Sequence, residues 1–332
     1  MKPHFVGTLC ALGLAIGLGG ATTRAQAVPD TVAGHVAAAK AAGGQMWPSL
    51  VSQLCTPAEV EPTPRGRGTQ PANPPGPPPQ SQWYREPRKV FDNMYLFPTN
   101  DVAAWAVTTS NGIILLDTTY NYSVKELIDN GLRKFGLNPA QIKDILVTHG
   151  HGDHFGGIKY LQELYSPAVY LSAKDWDLMM ATSQTNANAQ PLPKKDKIAT
   201  DGEKLTLGDT TITIYQTPGH TAGTISFIIP TKISGTPHTV AFWGGTALSR
   251  NTGIDNLKQF SASAKKFEGV VAQAKADIMI SNHERFGEHM KKLDASKGDA
   301  KTLVVGTDGV VKYLQVLEQC SQAIVVALQQ QK

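Results

Sequence analysis

The chain reads as an α/β protein, a four-layer αββα sandwich, and three observations lead there. From Lys89 onward, short β-rich runs alternate with stretches of helical periodicity. Three of the strand ends, near residues 148, 215 and 280, run straight into turns that carry histidine. The order of strands and helices suits two packed sheets with those turns gathered at one edge.

Residues 1–27 read as a secretory signal peptide. They offer a short positive start at Lys2, an apolar run over 5–20 and an Ala25-Gln26-Ala27 cleavage motif. The mature chain would start at Val28 and be periplasmic or secreted. Gly13, Gly17, Gly19 and Gly20 interrupt the apolar run, which argues against a membrane span. Leu9 ahead of Cys10 does not suit lipid attachment.

Residues 28–87 form an extension. Its first part, 28–60, is Ala-rich with Val32, Val36 and Ala39 at helical spacing, and 61–82 are rich in Pro, Gly and Gln. That second composition favours extended backbone without a packed core. The remaining 88–332 are expected to hold one large domain. With the signal removed, Cys55 and Cys320 remain; they either form one disulfide between the extension and the C-terminal helix or stay as two buried thiols.

Within the domain, 90–97, 102–109 and 113–117 read as strands, with Asn111-Gly112 as a two-residue hairpin turn. Val124, Leu127, Ile128 and Leu132 mark a helix over 123–135, closed by Gly136. Strand 144–148, helix 157–165, strand 169–171 and a helix near 173–181 follow. Residues 183–197 form a polar loop. Strands resume at 204–207, 211–215, 224–229 and 238–243; a helix near 257–275 precedes strand 277–281. Residues 308–328 form an amphipathic helix expected to pack on the outside.

The chemistry concentrates in His149-Gly150-His151-Gly152-Asp153-His154, between strand 144–148 and the next helix. A strand followed by a Gly-rich turn can aim several side chains at one point. Imidazole nitrogens and a carboxylate suit Zn²⁺. His220, in Pro218-Gly219-His220-Thr221, and His283, in Ser281-Asn282-His283-Glu284, also follow strand ends. Five of the nine histidines therefore sit in three such turns.

This pattern resembles the metallo-β-lactamase superfamily over roughly residues 88 to 295. The resemblance implies two Zn²⁺ per chain, one held by His149, His151 and His220, the other by Asp153, His154 and His283. Two such cations lower the pKa of bound water toward about 7 and polarise a carbonyl. Asp153 would also orient the attacking water, as the catalytic residue of the set. Many relatives place Asp at a later strand end to bridge both metals; here the stretch reads Phe242-Trp243-Gly244-Gly245-Thr246-Ala247, with Gly245 at that position. The six-ligand pattern without a bridge is most similar to the third subclass (B3) of class B β-lactamases.

Asp117, at the end of strand 113–117, is either a hydrogen-bonding partner that orients a ligand histidine or a turn-capping residue. Two hydroxyls that bind a β-lactam carboxylate in that subclass are replaced by Gly245 and Ala247. Thr246, Ser249 and Arg250 are the substitutes nearby, Arg250 through a bidentate fork or else facing solvent. Trp83, Trp105, Trp176 and Trp243 are core residues or pocket walls, and Trp105 lies in the hairpin that overhangs the site in relatives.

The expected function is a zinc-dependent hydrolase that opens a cyclic amide, a β-lactam first. A related hydrolase acting on a lactone, thioester or other ester is the alternative, and a non-catalytic zinc-binding module the alternative of another class. The chain carries 31 basic and 27 acidic residues; Lys2 and Arg24 fall within 1–27, which hold no acid, so 29 face 27 in the remainder. That balance argues against a nucleic-acid surface. The expected partner is a small-molecule substrate, with no nucleic acid and no stable membrane insertion, and a monomer is compatible with this reading.

Overall fold

The computed structural model describes Met1 and residues 27–60, 76–185 and 189–331. The expected signal peptide lies outside the described residues apart from its two ends, as do 61–75 of the Pro-rich run and 186–188 of the polar loop. Among the described residues, no helix is long and apolar enough to cross a membrane.

Two sheets lie at the centre. In the first, β1 (Arg88–Phe91), β2 (Met94–Pro98), β3 (Ala103–Thr109) and β4 (Gly112–Leu116) form an antiparallel meander. Then β5 (Ile142–Leu146), β6 (Ala168–Leu171) and β7 (Lys197–Ile198) add on in parallel. In the second, β8 (Lys204–Leu207), β9 (Thr210–Gln216), β10 (Ile225–Ile233) and β11 (Thr236–Trp243) pair antiparallel, and β12 (Ile278–Ser281) joins β11 in parallel. Trp105, Leu116, Ile214, Phe227, Phe242 and Ile280 fill the space between the sheets. Their burial removes large apolar surfaces from water, each side chain contributing about 1.5–3 kcal/mol.

Helices cover both outer faces, completing the αββα order. α1 (Val32–Gly43) and α2 (Pro48–Leu54) come from the extension. α3 (Ile158–Tyr165) and α4 (Ala173–Thr185) pack Ile158, Leu161, Trp176 and Met179 on the first sheet. α5 (Ile254–Ala274) and α6 (Gly306–Gln329) pack Phe260, Phe267, Tyr313 and Leu317 against Ala241, Trp243 and Met279 of the second.

Three expectations change. The run 90–97 is two strands, because Asp92-Asn93 makes a tight turn whose Asp92 carboxylate accepts the Ser234 and Gly235 N–H groups. Helix 123–135 is a π-helical turn, Lys125–Asp129, followed by the α-helix Asn130–Lys134. α6 is not an outer layer: the extension folds over it, and Val310, Tyr313, Leu314, Val316, Leu317 and Cys320 are buried with Ala39, Trp47 and Leu50. A disulfide joins Cys55 to Cys320, with the Cα atoms 5.1 Å apart.

The consequence for function is that β4, β5, β9, β11 and β12 all end at the same edge. Val147 extends β5 by donating to the Tyr170 carbonyl, while the Thr148 carbonyl accepts from Ile225 of the second sheet. The two sheets are thus stitched together where the histidine turn starts.

Candidate metal centre

Six side chains converge at this edge in two trios, His149/His151/His220 and Asp153/His154/His283. In the first, His220 Nε2 lies 3.1 Å from His149 Nε2 and 3.1 Å from His151 Nδ1. In the second, His154 Nε2 lies 3.3 Å from His283 Nε2, and Asp153 Oδ2 is 3.4 and 3.7 Å from those two atoms.

The opposite ring nitrogens explain these orientations. His149 Nδ1 donates to the Gly244 carbonyl at 2.9 Å and His220 Nδ1 to the Ala247 carbonyl at 2.8 Å. His154 Nδ1 donates to Asp117 Oδ2 at 2.9 Å and His283 Nδ1 to Asp101 Oδ1 at 3.3 Å. With Nδ1 carrying the proton, each Nε2 presents a lone pair. Lone pairs facing one another at 3.1–3.3 Å repel unless a proton or cation lies between them. A tetrahedral ion with metal–nitrogen bonds of about 2.0–2.1 Å separates its ligands by about 3.3 Å. Donor type, tautomer and spacing therefore fit a divalent metal ion in each trio.

Beneath the trios lies a buried network. Asp117 has a positive φ of 58°, which turns its carboxylate back under the site. Its Oδ1 accepts from Thr148 N at 2.7 Å, and its Oδ2 also accepts from the Thr148 hydroxyl and Asn282 Nδ2. Asn282 Nδ2 reaches the Gly244 carbonyl at 2.7 Å as well. One hub thus orients ligands of both trios.

The electrostatics of the trios differ. Burial, reinforced by neighbouring histidines, holds His149 well below the usual imidazole range and takes His220 to about 3, so the first trio is neutral. Burial also opposes charge on His154, but Asp153 and Asp117 outweigh it and raise that ring to about 10. Burial likewise opposes charge on Asp153, and His154 and His283 more than offset it, bringing its carboxyl far below the usual range. Metal binding at the second trio must displace the His154 proton.

Two cavities flank the ligands. One, of about 370 Å³, is lined by Tyr120, Asp153, Phe155, Met179 and Gln190 on the side of the second trio. The other, of about 500 Å³, is lined by His151, Lys174, Leu178, His220 and Asn256 on the side of the first. Tyr120 stacks on Tyr122 at 4.9 Å, which in turn meets Trp83 edge-on at 5.5 Å, forming an aromatic rim.

The four residues expected to contact substrate line neither of these two cavities. Trp105 is fully buried between the sheets, stacked on Phe91 rather than overhanging the site. The buried Thr246 hydroxyl lies 3.4 Å from Ser281 Oγ and from the Tyr313 hydroxyl, so it faces the core. Ser249 caps a short 3₁₀ turn, and the Arg250 N–H donates to Glu59 of the extension. Trp176 and Trp243 are buried core residues, and Trp83, also buried, backs the Tyr122 ring of the rim.

Asp101 and Asn282 were not singled out from the sequence, nor were the Gly244 and Ala247 carbonyls. Asn282 adjoins His283, which is a usable signal. Asp101 sits in an ordinary turn before β3, and carbonyls carry no residue signature.

Comparison with known proteins agrees with this geometry. Residues 98–232 match the family model of the metallo-beta-lactamase superfamily. The fold is similar to BJP-1, a subclass B3 metallo-beta-lactamase of Bradyrhizobium japonicum, with a TM-score of 0.63 and 28% identity over 71% of this chain and 92% of that one. It is similar in fold to FEZ-1 metallo-beta-lactamase from Legionella gormanii, with a TM-score of 0.64 and 23% identity over 75% and 97% of the chains. A hydroxyacylglutathione hydrolase of Idiomarina loihiensis is 29% identical over 144 residues, 43% of this chain and 45% of its own length. Glyoxylase B2 of Dictyostelium discoideum is 29% identical over 127 residues, 35% of this chain and 43% of its own. The chain thus spans under half the length of these curated relatives. Residues 98–232, which carry five of the six ligand-type side chains and the strands beside them, thus match the metallo-β-lactamase superfamily, and the fold is similar to that of BJP-1.

Proposed function

We propose that the chain is a di-zinc hydrolase that opens a cyclic amide, with a β-lactam as the leading substrate. The observation that carries this reading is Gly245. A Cβ there would stand 2.8 Å from the His220 ring, so no bridging carboxylate fits and the centre keeps two separate trios. That pattern, together with the likeness to BJP-1, supports amide rather than ester cleavage.

His149, His151 and His220 would hold one ion and Asp153, His154 and His283 the other. When bound, the ions supply Lewis acidity, lowering the pKa of water and polarising the carbonyl. Asp153 turns Oδ2 toward the two imidazoles of its trio, leaving its other oxygen to accept a hydrogen bond from the attacking water and orient it. Asp117, Asn282 and Asp101 keep the imidazoles aimed while charge develops. Tyr120, Phe155 and Met179 offer an apolar wall that excludes water from one flank and receives an apolar substituent. Among the described residues lining the cavities, no side chain stands out as a general acid for the departing nitrogen.

A second reading, thioester hydrolysis, is favoured by the hydroxyacylglutathione hydrolases among the relatives and by Thr246 facing the core. Steady-state kinetics on a chromogenic cephalosporin and on a glutathione thioester decide between them. The cephalosporin is expected to give the higher kcat/KM by at least about tenfold, a difference of about 1.4 kcal/mol in transition-state stabilisation. The reverse order would install the thioester reading. We also propose that the chain acts outside the cytoplasm, which the N-terminal pattern and the Cys55–Cys320 disulfide support.

A further inference from the structure

Asp175 stands outside both trios, yet it touches the two segments that carry the first. It is fully buried in the first turn of α4. Its Oδ2 accepts from Gly150 N at 2.9 Å and from the Thr221 hydroxyl at 2.7 Å. Gly150 is the residue between His149 and His151, and Thr221 directly follows His220. A single carboxylate oxygen therefore ties together the histidine turn after β5 and the turn after β9, which share no strand pairing because they belong to different sheets.

The contact is close by construction. A Cβ at Gly150 would lie 2.7 Å from the Asp175 carbonyl oxygen, so only glycine lets α4 approach between the two ligands. On the other side, a Cβ at Gly223 would lie 2.0 Å from Ser172 Oγ and 2.7 Å from Asp175 Oδ1. Thr221 is itself fixed, its N–H and hydroxyl both meeting Thr224 Oγ1. The first trio is all imidazole, with no carboxylate of its own. Among the described residues, Asp175 is the buried acidic side chain that touches both of its segments.

We propose that Asp175 is a positioning residue for the first trio, setting the distance of His220 from His149 and His151 and thereby the affinity of that trio for its ion. This rests on the metal-centre reading, and the test separates the two. Metal-free protein is titrated with Co²⁺, following the d–d absorption bands, and affinities are read by competition with a chromophoric chelator. A His283→Ala background leaves the first trio alone to report.

In that background, Asp175→Ala is expected to weaken Co²⁺ binding about 10- to 100-fold, the usual effect of losing an outer partner of the ligands, and to shift the absorption bands. In a His220→Ala background, where the second trio reports, the same substitution should leave affinity and spectrum unchanged; a general loss of structure would move both. If Asp175→Ala does not fold, by circular dichroism, Thr221→Val decides, since it removes one of the two bonds and should weaken the first trio about 3- to 10-fold. Unchanged first-trio affinity and bands in the folded variant would overturn the proposal. Absence of Co²⁺ binding by the parent chain would overturn both it and the metal-centre reading.

Discussion

Gly245 is the residue that most sharply constrains the chemistry. Its lack of a side chain lets His220 pack against the turn after β11, and a carboxylate placed there would strike the imidazole rather than bridge two ions. Gly245→Asp is therefore expected to lose a bound metal instead of gaining a ligand, which metal analysis after dialysis will read directly. Asp117 is the complementary case, since its two oxygens accept from Thr148, His154 and Asn282 at once. Asp117→Asn sets an NH₂ group against at least one of these donors and should cost the second trio about 10- to 100-fold in metal affinity, measured by chelator competition. The ligand-type residues were visible in the sequence because they bunch in Gly-rich turns at strand ends. The positions beneath them were not, because Asp101 and Asn282 act through tertiary contacts and Gly244 and Ala247 through backbone carbonyls.

At the scale of elements, most strands and helices followed from periodicity, with errors where a local residue or a distant segment intervened. Asp92-Asn93 broke a run that hydropathy alone joins. For α6, an amphipathic pattern could not reveal that both of its flanks would be covered, because the covering helices α1 and α2 lie on the far side of the Pro-rich run. The Cys55–Cys320 disulfide closes a loop of 265 residues and pins that cover in place. Removing it in a Cys55→Ser/Cys320→Ser variant should lower the unfolding free energy by about 2–5 kcal/mol. Urea unfolding of the two proteins checks this. Equal midpoints would mean that α1 and α2 dock without help from the bond.

For the whole molecule, the centre joins the two sheets, so metal binding and fold stability are linked. Saturation at a thousand times the dissociation constant stabilises by about 4 kcal/mol per site, and chelation should lower the melting temperature accordingly. The second trio adds a proton term. His154 sits at about 10 in the metal-free centre, above its unfolded value, so its interaction with Asp117 and Asp153 stabilises the apo fold below about pH 6.5 and is lost as pH rises through 10. At pH 8 the ring is protonated, and an ion entering that trio must release close to one proton. Calorimetry of metal uptake in buffers of different ionisation enthalpy measures that number, and uptake without proton release would contradict the charge state given to His154. The proposed hydrolase needs two ions, each held by three of these six side chains. The most direct measurement is a zinc titration of the metal-free protein with cephalosporin hydrolysis followed in the same cuvette. Two bound ions are expected, with turnover that rises with occupancy and vanishes on chelation, and one ion fewer in both His220→Ala and His283→Ala. Turnover that survives chelation, or two tightly bound ions with no turnover of cephalosporin or thioester, would contradict the proposal.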